Sequence, residues 1–307
     1  MSKPTTEVKG RIRHTRSDVV FLTINWILLI LCAIVLLYPL LYIIMSSFSA
    51  GPTYMRLSLI PTKFSLEGYT AVFEYADIWT GYRNSLLYTA VFTVVSLAMT
   101  VCLAYPLSRR DFGGGKYMML LCMFTMYFSG GLIPTYVWMR QMKLLDSMWA
   151  LIIPSAVSVY NMIVMRTYFS TQIPDELREA SMLDGCSDIR YLVSIVLPLS
   201  GAILAVIGLY YAVYMWNEYF NAMVYITTRS KLPLPNFLRE ILMINVQHSL
   251  TNANMTQQEI ERIARLEERA ELMKYSLIIV SSVPVMILYP FVQKHFVKGV
   301  MIGATKG

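Results

Sequence analysis

The sequence predicts an all-α, polytopic membrane protein with six transmembrane helices, and three observations predict it. Of 307 residues, 56% are hydrophobic and only 15% are charged, where a soluble domain carries about 25% charged residues. The apolar residues gather into runs long enough to cross a bilayer, which takes about 20 residues. The remaining charge sits mostly between those runs. Such a composition excludes disorder, which needs few apolar residues. Basic residues retained on the cytoplasmic side of spans account for the net charge of +7, so nucleic acid is not expected as a partner.

The first run follows a basic tail, 1–18, containing KGRIRHTR. From Val19 to Met45 it is 27 residues long, too long for a signal-peptide core. An uncleaved first span over about 19–45 is expected, although SFSA at 47–50 weakly resembles a cleavage site. The other spans are expected at about 84–107, 117–138, 147–169, 198–226 and 275–293. Pro39, Pro106, Pro154, Pro284 and Pro290 fall in these runs and read as kinks whose freed carbonyls neighbouring helices satisfy.

Orientation follows from Lys and Arg in short connections. Lys3, Lys9, Arg11, Arg13 and Arg16 precede the first span, Arg109, Arg110 and Lys116 follow the second, and Lys294, Lys298 and Lys306 lie in the tail 294–307. With six spans these fall on one side, so both termini are expected in the cytoplasm. The segment 227–274 is then an outward loop, and the segment 170–197 faces the cytoplasm. No internal repeat or linker divides the chain, so 19–293 reads as one membrane domain.

That cytoplasmic segment, IPDELREASMLDGCSDIRYLVSIVLP, is the least ordinary stretch. Asp175, Glu176, Arg178, Glu179, Asp184, Asp188 and Arg190 place seven charges in 16 positions. At about 2.5 kcal/mol each, inserting them would cost roughly 17 kcal/mol. Asp175 is expected to cap a short helix, with Glu176 favourable in its first turn. Gly185 sits where a left-handed residue ends a helix. Ser187 is expected to cap a second helix, on which Ile189, Leu192, Val193 and Val196 recur with helical spacing. Leu177, Ala180 and Ser181 give the first helix a small face that suits close docking.

Here the chain resembles a known family. Glu179, Ala180, Ser181, Gly185, then Ile195, Leu197 and Pro198 are similar to the EAA motif of binding-protein-dependent ABC importer permeases. Ser181 and Cys186 depart from that motif, and both keep a small side chain. IPTY, WALIIPSAVSVYNMIVMRTYF, WNEYFNAM and YPFVQKHFVKGVMIGATKG extend the likeness along nearly the whole chain. They resemble the carbohydrate-uptake branch, especially permeases for oligosaccharides from plant or algal polysaccharides such as aldouronates. The resemblance implies a type I importer fold and a permease subunit in a bacterial cell membrane. It also implies a coupling helix around Glu176, Arg178, Glu179, Ala180, Ser181, Asp184 and Gly185, seated in a separate ATPase. The implied partners are a second, homologous permease forming a heterodimer, two ABC ATPase subunits, and an extracellular or periplasmic sugar-binding protein.

The sequence agrees that ATP and magnesium belong to partners. GGGKY at 113–117 is the nearest approach to a phosphate-binding loop, but Arg110 replaces its first glycine and Tyr117 its Ser or Thr. No cofactor is expected in this chain. Four cysteines without a CxxC pair and three distant histidines support neither a zinc site nor a disulfide framework. An ion-coupled secondary transporter would place acidic residues along its spans, and Glu218 is the one found. A membrane enzyme would need an acid and base, imaginable as Glu218 with Asn217 or Asp77 with Glu74, but no nucleophile motif accompanies them. Sugar-pathway candidates are Tyr210, Tyr214, Asn217, Glu218 and Asn221, whose helical spacing suggests a shared polar face. Asn161 and Tyr127 are weaker candidates.

Overall fold

The computed structural model describes residues 15–49, 64–248, 270 and 272–290. The expected tail 294–307, most of the tail 1–18 and the loop portion 249–269 lie outside the described residues.

Helix α1 (Arg16–Ser47) opens on a capping box in which Thr15 N–H donates to Asp18 Oδ2 (2.8 Å) and Asp18 N–H donates to Thr15 Oγ1 (3.3 Å). Apolar residues cover all its faces and stay exposed from Val19 to Leu41, as suits a helix meeting lipid or another subunit. Among the described residues, only its C-terminal end packs on the rest: Ser47 Oγ lies 2.8 Å from Tyr69 Oη, and Ser276 Oγ donates to Ser47 O. Pro39 lies inside the helix without ending it.

After α2 (Glu67–Glu74) comes the organising element, α3 (Ala76–Ser108), which starts at Ala76 rather than at the apolar run from 84. It packs against α7 (Val159–Gln172), α11 (Gly201–Trp216) and α13 (Leu234–His248). Its contact with α11 uses small residues, as close helix approach in membranes requires. Ser96 and Thr100 of α3 are fully buried, and a Cβ on Gly208 would meet Thr93 Cγ2 at 3.9 Å. The main core, including Phe92, Ile152, Met162, Met165 and Ile207, fills this junction. A second cluster joins Val72, Ile78, Leu234 and Ile241 with Leu277 of α14 (Leu272–Pro290).

Among the described residues, helices α1, α3 and α14 are each long and apolar enough to cross a membrane, and the count is six when each of three bent pairs is taken as one span. Helix α4 (Gly115–Tyr127) and α5 (Leu132–Gln141) meet at 110°; α6 (Trp149–Ile152), extended by a 3-10 turn to Ser155, meets α7 at 54°. The sequence predicts single spans over these runs, kinked in the second at Pro154, and the structure breaks both. Gly131 at φ +84° turns the first break, a left-handed conformation that costs a side chain about 1–2 kcal/mol. Pro154, in the 3-10 turn, removes a backbone donor before the second. The third bend, 83°, precedes α11.

The segment from 227 also departs from a simple loop. It contains α13, docked on α3 through Leu234 N–H, which donates to buried Ser85 Oγ (2.9 Å).

Candidate functional site

The charged insert folds as helix, glycine turn, helix. Helix α8 (Asp175–Leu183) begins after Pro174, which occupies the N-cap position and has no side chain to cap with. Asp175 therefore does not cap; with Glu176 it lies in the first turn, where both charges favour the helix dipole. At the other end Gly185 is left-handed, φ +73°. Cys186 N–H donates to Ser181 O (2.9 Å) and Gly185 N–H to Met182 O (3.0 Å), the paired bonds of a Schellman ending. Ser187 caps α9 (Asp188–Tyr191) by accepting from Arg190 N–H.

The expected apolar face of the second helix is corrected. The α-helix gives way to a π turn over Leu192–Val196, which shifts the register. Tyr191 and Val196 point inward, while Ile189 and Val193 are exposed. Three helical residues, α10 (Leu197–Leu199), and then Ser200 separate the turn from α11.

One face of α8 holds it to the protein: Ser181 is buried and Arg178 half-buried. Glu176, Glu179, Ala180, Asp184 and Gly185 are all exposed. Among them stand bare apolar side chains, Leu177, Met182, Leu183 at 90% exposure and Ile189 at 77%. Apolar groups grouped on a charged element mark an interaction surface.

Behind α8 lies a charge network that the sequence reading missed. Arg109, just after α3, grips Asp111 with two bonds, Nε to Oδ1 (3.1 Å) and Nη2 to Oδ2 (2.8 Å), and reaches Asp188 through Nη1. Arg178 Nη2 donates to the same Asp111 Oδ2 (2.7 Å). Arg109 first, then Arg178, holds the Asp111 carboxyl well below the usual carboxylate range. Its stabilisation is complete above the ordinary aspartate pKa of about 4 and is lost only as pH falls through the depressed value. Arg110 and Asp175, 3.8 Å apart and both exposed, add little.

The pathway candidates are only partly united. Tyr210 and Tyr214 are exposed one turn apart on α11. The helix ends at Trp216, so the expected face does not run on to 221. Asn217 turns its amide back to Val213 O (2.8 Å), and Glu218 accepts from Asn221 N–H (2.9 Å) in the first turn of α12 (Phe220–Tyr225). Asn161 is buried in the first turn of α7, and Tyr127 ends α4, exposed beside the 110° break.

What ties this region together is Tyr211, which is not among the residues the sequence singles out. Its hydroxyl lies 2.6 Å from Thr100 Oγ1 and accepts from Ser158 N–H (3.1 Å). It thereby satisfies a donor freed by the break before α7. Tyr211→Phe leaves Ser158 N–H and Thr100 unpartnered, at about 1–3 kcal/mol. The thermal midpoint of the purified protein is expected to fall clearly, with Tyr214→Phe, whose contact to Ser155 is 3.3 Å and exposed, moving it little.

At the opposite end, Asp146 accepts from Thr227 N–H, Thr228 N–H, Thr228 Oγ1 and Lys231 Nζ. Arg229 bridges Asp77 (2.8 Å) and Glu240 (3.0 Å). Asp77 is thus engaged in an ion pair. Among the described residues no group of His, Cys, Asp and Glu can hold a metal ion. GGGK forms the turn into α4.

Long and broken apolar helices with an exposed, charged helix–glycine–helix insert define a polytopic membrane protein. Comparison with known proteins gives the particular family. The chain is 37% identical to the polygalacturonan/rhamnogalacturonan transport system permease protein YtcP of Bacillus subtilis over 281 residues, covering 91% of this chain and 96% of that one. Identity to LplC of the same organism is 35%, covering 96% and 98%. The arabinooligosaccharides transport system permease protein AraQ of Halalkalibacterium halodurans is 27% identical, covering 92% and 97%. A chain from the crystal structure of a bacterial ABC transporter importing the acidic polysaccharide alginate superposes with a TM-score of 0.81 at 32% identity, covering 93% of this chain and all of that one. No family model matches. The chain belongs to the sugar-transport permease subunits of ABC transporters. It is a membrane transport component and not an enzyme.

Proposed function

We propose that this chain is half of the translocation pathway of an ATP-driven importer for oligosaccharides released from polysaccharides. The observation that carries the driven mechanism is the exposed face of α8, with Leu183 at 90% exposure among Glu176, Glu179 and Asp184. It is a docking surface for a separate ATPase subunit, which holds the ATP and magnesium. The pathway's other half is a second, homologous permease, and a sugar-binding protein delivers cargo to the opposite end. The insert and both termini face the cytoplasm, as the loop charges favour. Tyr210 and Tyr214, exposed beside the break before α7, line the pathway together with Asn217 and Glu218. The names of the relatives support a substrate drawn from pectin-like or alginate-like polymers.

Purification of the chain from native membranes is expected to bring an ATPase, a second permease and a sugar-binding protein with it. Recovery without any ATPase would overturn the reading. Glu179→Lys is expected to leave the chain in the membrane, lower the recovered ATPase and reduce oligosaccharide uptake about tenfold, the effect of ~1.4 kcal/mol.

A further inference from the structure

The insert is joined covalently to α7 at one end and, through the π turn, to α11 at the other. It has no covalent link to α3, the helix against which α7, α11 and α13 pack. Beside the packing of Tyr191 and Val196 into the core that Ala104 and Leu107 of α3 share, its links to the end of α3 are ionic. Asp111, three residues beyond the end of α3, receives Arg178 from α8, and Arg109, at the end of α3, receives Asp188 from α9. Arg109 is held in turn by Asp111 in a two-bond fork, and its guanidinium lies 5.8 Å from the centre of the Tyr105 ring on α3. Its side chain is only 17% exposed. A third tie, Arg166 Nε to Leu107 O (3.0 Å), binds α7 to the same end of α3.

We propose that Arg109, Asp111 and Asp188 are positioning residues that pass movement of the docked insert to α3. The inference rests on the docking role of α8 given above and adds the route by which force reaches the bundle. A lone surface ion pair would be a poor connector, because exposed pairs contribute little. This one differs in kind. Two arginines share one carboxylate, one arginine makes a planar two-point grip that resists rotation, and the aromatic ring adds a cation–π contact. Helix α8 cannot shift along the membrane plane without either dragging the end of α3 or breaking Arg178 from Asp111. Helix α9 is constrained in the same way through Asp188. The network ties α8 and α9 directly to the end of α3; without it, the insert keeps its covalent connections to α7 and α11 and the packing of Tyr191 and Val196 in the core. Arg109 and Asp111, the residues altered in the test, belong to the connection after α3 and not to α8.

The test uses the assembled transporter in lipid, with the four cysteines replaced by serine and a fluorophore on Trp79→Cys. Position 79 lies in the first turn of α3, at the end away from the insert, and is exposed. Addition of ATP and vanadate is expected to change the fluorescence in this parent. Asp111→Asn and Arg109→Gln are each expected to shrink that change by about fivefold or more, with the ATPase subunits still bound and hydrolysis retained. Asp111→Glu, which keeps the charge, is expected to recover most of the signal. A full signal in both neutral variants would overturn the proposal, as would a parent that binds ATPase yet shows no change. Loss of the ATPase from Asp111→Asn would overturn it too, by placing the network in the docking surface. A parent that never binds an ATPase would fault the docking role instead.

Discussion

Leu183→Asp is expected to release the ATPase subunits while the chain stays in the membrane. Leu183 is the last residue of α8 and 90% exposed, so nothing in its own chain depends on it. In a partner's groove its burial stabilises by about 1.5–3 kcal/mol. Aspartate forfeits that and brings a carboxylate needing desolvation, so affinity should fall by about a hundredfold or more. Titration of the ATPase against the permease pair in lipid discs measures it. The change leaves Ser181 and the Gly185 turn untouched, so the helix remains. Equal ATPase affinity in the variant would remove α8 from the interface.

How much of this was visible in the sequence divides along a physical line. Local signals were legible. Ser187 capping α9 and left-handed Gly185 depend on neighbours within four residues. The charge of the insert kept it outside the apolar runs for the same local reason. Features needing two distant segments were not legible. Tyr211 read as one aromatic residue among many in YYAVYMW, and its partners Thr100 and Ser158 lie 111 and 53 residues away. The Arg109–Asp111–Arg178–Asp188 network spans up to 79 positions. SRRDF did carry a hint, since an acidic residue beside two arginines invites a fork, but nothing in it named Arg178 or Asp188. Asp175 failed as a cap because Pro174 fixes the chain's entry one residue earlier. The polar face expected over 210–221 failed because periodicity assumes one continuous helix. The chain stops that helix at Trp216 and restarts it at Phe220.

Those breaks bear on how the two ends communicate. A straight six-helix bundle would transmit a push at the insert along rigid rods. Here the broken pairs flank the long helix α3, and Tyr211 pins the break before α7 to Thr100 of α3. The bends can flex while α3 stays whole. That division of labour suits a permease, in which a pathway must open at one end and close at the other.

At the far end of α3, Gly81→Leu is expected to unseat α13. A Cβ at position 81 would lie 2.7 Å from Phe237 Cδ2 and 3.0 Å from Leu234 Cα. The first neighbour is a ring 1% exposed and overlain by the Arg229 guanidinium at 5.2 Å; the second is backbone. Neither can yield to a branched side chain. Overpacking of this kind costs about 1–3 kcal/mol. The strain is relieved most simply by lifting α13, which also sacrifices Leu234 N–H to Ser85 and the Arg229 bridge between Asp77 and Glu240. Amide exchange over 234–243 should then accelerate by about tenfold to a hundredfold, following ~1.4 kcal/mol per decade. Gly81→Ala separates the causes. Its Cβ still meets Phe237 Cδ2 at 2.7 Å, so that ring must shift, against about 1 kcal/mol gained in helix propensity, but it adds none of leucine's further atoms. It should therefore disturb exchange far less than leucine. Native exchange rates in Gly81→Leu would mean that α13 is not seated through this glycine.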